Sequence, residues 1–169
     1  MARRVKYDPG IMRTSLILAL SLSTLTATTA CSKKGDGGGG KPAAVKIPKL
    51  GVELDIPGEV SVTDGMGESS QMLMGTEIGA MTVELAATPQ SQEEAKSDAD
   101  MFSPKNFKAD KLADGYWMTY DNTGGAGANF FVTVRRDLGG KSYRCTTTTN
   151  TADRQAVVVA ACKSLRVAK

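Results

Sequence analysis

Apolar and polar residues alternate along most of the chain beyond residue 50. Val52, Leu54 and Ile56 are separated by Glu53 and Asp55, the period-two mark of a half-buried strand, and Pro57-Gly58 ends it. Val60 and Val62 continue as a short second run. Gln71 to Gly75 and Ala80 to Ala86 read as two more strands joined around Thr76 to Gly79. In the latter, Met81, Val83 and Leu85 share one face, with Thr82 and Glu84 on the other. The period then changes. Ser91-Gln92-Glu93-Glu94 is a capping box, Ala95, Ala99 and Phe102 lie on one helical face, and Pro104 stops the helix. Strands resume over Phe107 to Leu112 and Tyr116 to Tyr120, around a turn at Asp114-Gly115. Asn129 to Arg136 and Lys141 to Thr148 flank Asp137-Leu138-Gly139-Gly140, a hairpin signal. A second helix is expected from near Asn150, with Val158, Ala161, Cys162 and Leu165 spaced i, i+3, i+4, i+7. Strands, helix, strands, helix is the order of an α+β domain. The expected form is an antiparallel β-sheet packed by two helices, an α+β sandwich, over residues 51–169.

The first 30 residues follow another pattern. Arg3, Arg4, Lys6 and Arg13 stand against Asp8, an apolar stretch runs from Leu16 to Leu22, and small residues lead to Ala30-Cys31. A charged start, a short apolar middle and small residues before a cut form the layout of a secretory signal. The apolar stretch is shorter than the roughly 20 residues that span a bilayer, and no other segment comes closer. The end of this leader, Thr28-Thr29-Ala30-Cys31, resembles the lipobox of bacterial lipoprotein signal peptides, with Thr28 standing where Leu is usual. That resemblance implies that Cys31 becomes the first residue of the mature chain. It would carry thioether-linked diacylglycerol, usually with an amide-linked third chain such as palmitate. Several acyl chains, at about 0.8 kcal/mol per buried methylene, make a stable anchor where one is marginal. The implied partner is the membrane, and Ser32 after the cysteine implies outer-membrane sorting, facing the periplasm, in a two-membrane host.

Residues 31–50 read as a tether. Ser32-Lys33-Lys34-Gly35-Asp36, four glycines and Lys41-Pro42-Ala43-Ala44 offer little to bury against the cost of ordering. Gly35 to Lys41 fits GxxxxGK, but Pro42 stands where a phosphate-binding loop needs Ser or Thr. The domain itself loosely resembles the PsbP-like group of small secreted α/β/α sandwiches. The matching features are Val52-Glu53-Leu54-Asp55-Ile56-Pro57, a helix after Pro89, Tyr143-Arg144-Cys145 and Ala161-Cys162-Lys163-Ser164-Leu165. That resemblance implies the architecture only.

Charge narrows the function classes. The chain holds 21 Lys and Arg against 18 Asp and Glu, and the leader accounts for the whole excess. A neutral remainder gives no field for nucleic acid. Five lysines (33, 34, 41, 46 and 49) against Asp36 make residues 31–50 basic, while the domain is acidic. That distribution serves solubility, or sets lysines near anionic head groups. The chain contains no His, which removes His-based triads and the usual near-neutral general base.

Setting Cys31 aside leaves Cys145 and Cys162, an even pair that reads as a structural disulfide between the last strand and the last helix. The remaining candidates have bland readings beside sharper ones. Glu93, Glu94, Asp98 and Asp100 form a solvated acidic face without a calcium loop. Met66, Met72, Met74 and Met81 fill a core or line an adaptable groove. Gly124-Gly125-Ala126-Gly127-Ala128 reads as a mobile loop between strands. Thr146 to Thr149 has the composition of an exposed strand. Tyr116, Trp117 and Tyr120 put aromatics on both faces of one strand; one face is core, and a contact patch for a partner is the sharper reading of the other. The expected function is a lipid-anchored, non-enzymatic binding or accessory module, with an envelope protein or small ligand as partner, and neither cofactor nor metal. An envelope enzyme using carboxylates or a Ser/Lys pair, and a purely structural surface lipoprotein, are the alternatives.

Overall fold

A computed structural model describes residues 40–125 and 127–169. The leader, the lipobox with Cys31 and most of the glycine run lie outside the described residues, as does Ala126. The strands are β1 (Ala43–Ile47), β2 (Val52–Ile56), β3 (Val60–Asp64), β4 (Ser70–Gly75), β5 (Gly79–Leu85), β6 (Lys105–Leu112), β7 (Gly115–Gly124), β8 (Gly127–Leu138), β9 (Lys141–Thr149) and β10 (Arg166–Val167). Helix α1 (Gln92–Asp100) follows β5, and α2 (Ala152–Lys163) follows β9. One antiparallel sheet has the order β1-β2-β10 and the other β3-β4-β5-β9-β8-β7-β6.

Strands occupy 53% of the described residues and helices 19%, so the fold is β-rich and built on two sheets. This overturns the expected sandwich of one sheet packed by two helices, and with it the architecture taken from the PsbP-like group. The reason lies in pairing. Alternation marks Val52–Ile56 as a strand but does not say which strand it joins. Its partners are β1, hidden in the lysine- and proline-containing stretch expected to be tether, and the two-residue β10. Residues 43–50 therefore belong to the fold: Ala43 to Ile47 pair with Ile56 to Val52, Pro48–Leu50 form a 3-10 turn, and Ile47 is fully buried.

The inner face of the large sheet, carrying Leu73, Met81, Val83, Val132, Val134, Tyr143 and Cys145, closes on the small sheet and α2. Ile47, Val52, Leu54 and Ile56 come from the small sheet, and Val158, Ala161, Cys162 and Leu165 from the α2 region. Burying such side chains is the main drive to fold, at about 1.5–3 kcal/mol each. Cys145 and Cys162, both fully buried, are joined in a disulfide with their Cα atoms 5.8 Å apart. On the outer face α1 packs, placing Ala95 and Ala99 against Tyr116, Met118 and Tyr120 of β7. The capping box forms as expected: the Ser91 hydroxyl accepts from the Glu94 N–H, and Glu94 accepts from the Ser91 N–H.

Two arginines fasten the ends of this arrangement. Arg166 grips both Asp55 oxygens at 2.9 Å and donates to buried Glu53 at 2.9 Å, which fixes the short β10 to β2. Arg136 makes a two-point pair with Asp114 at 2.8 Å and donates to the Lys163 carbonyl at the end of α2.

The Arg166 hydrogen bonds hold the Asp55 carboxyl below its ordinary pKa. Bonds from Lys49 and Gln71 do the same for Asp64, and the Ser91 N–H and hydroxyl for Glu94. Carboxyls with depressed folded-state pKa stabilise the fold while ionised. Their contribution is complete above the ordinary carboxyl range and is lost as pH falls through the folded value. The urea midpoint should therefore drop between about pH 5 and pH 3, and Arg166→Gln should flatten part of that drop. An identical acid slope in wild type and variant would show that Asp55 is not linked to folding.

Candidate functional site

The outer face of the large sheet carries one polar row laid straight across its strands. Register pairs Tyr116 of β7 with Arg135 of β8, Arg135 with Arg144 of β9, and Arg144 with Glu84 of β5. Two arginines directly opposite each other repel, and each is offset by its own carboxylate. Arg144 donates through Nε to Glu84 Oε1 at 2.5 Å, and its Nη2 lies 2.5 Å from the same oxygen. Arg135 pairs with Asp137 through Nε at 3.1 Å and Nη2 at 2.7 Å. Its Nη1 donates to the Gln90 carbonyl at 2.8 Å, tying the segment between β5 and α1 down over the sheet.

That segment roofs the row. The Ala86 N–H bonds to the Ser142 carbonyl at 2.8 Å, and at the other end the Ser91 capping box starts α1. Between them lies a cleft of about 400 Å³, walled by Leu85, Ala86, Ala87 and Pro89 and floored by the cross-strand row. Arg144 is the open member, with 44% of its side chain exposed, and its Nη1 has no partner among the described residues. Tyr116 is 4% exposed, and burial pushes its phenol above the ordinary value while Arg135 and Arg144 pull the other way. The phenol is therefore protonated at neutral pH. Its hydroxyl makes no hydrogen bond among the described residues, leaving a donor in a site that excludes bulk water on one side. Two guanidiniums, a phenol and apolar walls can hold a ligand with one charged end.

The residues singled out in the sequence are dispersed. Cys31 lies outside the described residues, and the disulfide is buried on the opposite side of the large sheet from the cleft. Glu93, Glu94, Asp98 and Asp100 sit along α1; Glu94 closes the capping box and Asp98 accepts from Gln90 at 2.7 Å. Among the described residues no group of three or more Cys, Asp or Glu is placed to hold a metal ion. Of Met66, Met72, Met74 and Met81 only Met81 is buried; Met74 is 43% exposed on the outer face, and Met66, in the β3–β4 turn, is 91% exposed. Gly124 to Ala128 is not a long loop, because the β7–β8 ladder runs on to Gly124 opposite Gly127. Trp117 faces Lys163 of α2, whose Nζ lies 3.7 Å from the ring centroid, so both faces of β7 are covered there. Among the described residues, the face of Tyr116 to Tyr120 that offered a contact patch as its sharper reading is thus covered. Exposed aromatic surface lies at Phe102 instead, beside Phe131.

Sequence reading did not single out Glu84, Arg135 or Arg144, and it treated Tyr116 only as an aromatic. Strand parity was available for each, but the register that lines them up was not. No protein-family model matches this chain, and no curated protein matches it.

Proposed function

We propose that the protein is a lipid-anchored envelope lipoprotein whose folded domain is a non-enzymatic binding module. The arrangement of the three cysteines carries this reading. Cys145 and Cys162 pair in a buried disulfide, a bond that persists in oxidising compartments outside the cytoplasm. Cys31 is the odd cysteine, and it directly follows the charged, apolar and small-residue parts of the leader. Ala43, the start of β1, comes twelve residues after Cys31, so acyl chains there would hold the domain within about 40 Å of the bilayer. Outer membrane facing the periplasm is the location this reading favours. The cleft supports the binding role, since its guanidiniums and protonated phenol are donors that can hold a ligand.

Cys31→Ser is expected to move the protein from the membrane to the soluble fraction and to abolish incorporation of labelled palmitate. Unchanged membrane association of the variant would overturn acylation at Cys31. Release of the wild-type chain with no label would point to plain secretion.

A further inference from the structure

We infer that the cleft beneath residues 86–90 binds a small organic monocarboxylate with an apolar body. This inference deepens the binding-module reading and rests on it. Its basis is the cross-strand row itself. Arg144 spends two donors on a single Glu84 oxygen, and its Nη1 has no partner among the described residues on a side chain that is 44% exposed. The Tyr116 hydroxyl, a donor without a partner among the described residues, belongs to the same row two strands away, and both residues line the cleft. A guanidinium N–H and a phenol O–H are both donors, and a carboxylate is a ligand group that accepts from either.

The surroundings select the kind of anion. Glu84 and Asp137 already stand against the two arginines, so a second negative charge on a ligand would meet fixed carboxylates. A dianion such as phosphate is therefore disfavoured relative to a single carboxylate. Leu85, Ala86, Ala87 and Pro89 supply an apolar wall for the rest of the ligand. A volume of about 400 Å³ falls in the range of small-molecule pockets and is larger than a bare inorganic anion needs. Arg135 acts as a positioning residue: through the Gln90 carbonyl it holds the roof at its height above the floor.

The test uses the full-length chain carrying Cys31→Ser, labelled with nitrogen-15 and followed by amide shifts during titration. Phenylacetate is the probe, with phenylacetamide and inorganic phosphate as comparisons. Phenylacetate should give saturable shifts at residues 86–88, Tyr116, Arg135 and Arg144, with the amide at least ~10-fold weaker. Tyr116→Phe, which removes only the hydroxyl, should weaken binding about 10-fold, and Arg144→Gln at least as much. If Arg144→Gln fails to fold, Tyr116→Phe alone decides. The inference is overturned if shifts do not saturate by about 10 mM, fall elsewhere, match those of the amide, or appear with phosphate only. Because the titration does not involve the anchor, a negative result leaves acylation untouched, and failed acylation leaves the titration readable.

Discussion

Replacing Cys145 and Cys162 together by Ala is expected to lower folding stability by about 3 kcal/mol. The two cysteines are 17 positions apart, and closing a chain loop of that length removes conformational freedom mainly from the unfolded state. The bond does more than close a loop. It ties β9, a central strand of the large sheet, to the helix that brings Val158 and Ala161 into the core and then leads through buried Leu165 to β10. For a domain whose total stability is on the order of 5–15 kcal/mol, this is a large share. Urea unfolding of wild type and double variant, extrapolated to water, measures it. A difference under about 1 kcal/mol would mean that the bond does not constrain the unfolded chain as the loop-closure argument requires.

Gly115→Ala should cost as much or more. Gly115 begins β7, opposite Leu112 and Arg136, with φ at 151°. A methyl group there would collide with the Arg135 carbonyl, and the atom in the way is backbone, which has no rotamer to yield. Overpacking of this kind costs about 1–3 kcal/mol, and the unfavourable φ adds about 1–3 kcal/mol. The predicted loss is roughly 3–4 kcal/mol, with the urea midpoint lowered and the slope kept. A near-neutral substitution would show that the β6–β7 turn can shift without disturbing β8. The strain falls next to Tyr116 and Arg135, so the amides around the cleft should move even where the fold survives.

The legible parts of the sequence were those in which cause and effect lie within a few residues. Ser91 and Glu94 announce a helix start because each satisfies the other's backbone across one turn. Val158, Ala161 and Cys162 mark the buried side of α2 because helical periodicity puts them there. Gly139-Gly140 gave a hairpin because its two loop positions need positive φ, found here at 58° and 75°. The β6–β7 turn fell one residue from its expected place, on Ala113-Asp114, because Gly115 is required by close packing and not by the turn itself.

The sequence by itself determined β2, the strands of the large sheet and both helices, the pairing of the last two cysteines, and the leader that motivates the envelope reading. Local backbone preference and hydrophobic period are properties of short windows, and short windows can be read. Only the tertiary structure decided that β1 and β10 flank β2 in a second sheet, and that Tyr116, Arg135, Arg144 and Glu84 form one row. Glu84 and Arg144 are 60 positions apart, and they meet because β5 and β9 pair in one register out of several the pattern allows. Register is fixed by the sum of core contacts over the whole domain, a quantity that no local stretch of sequence contains.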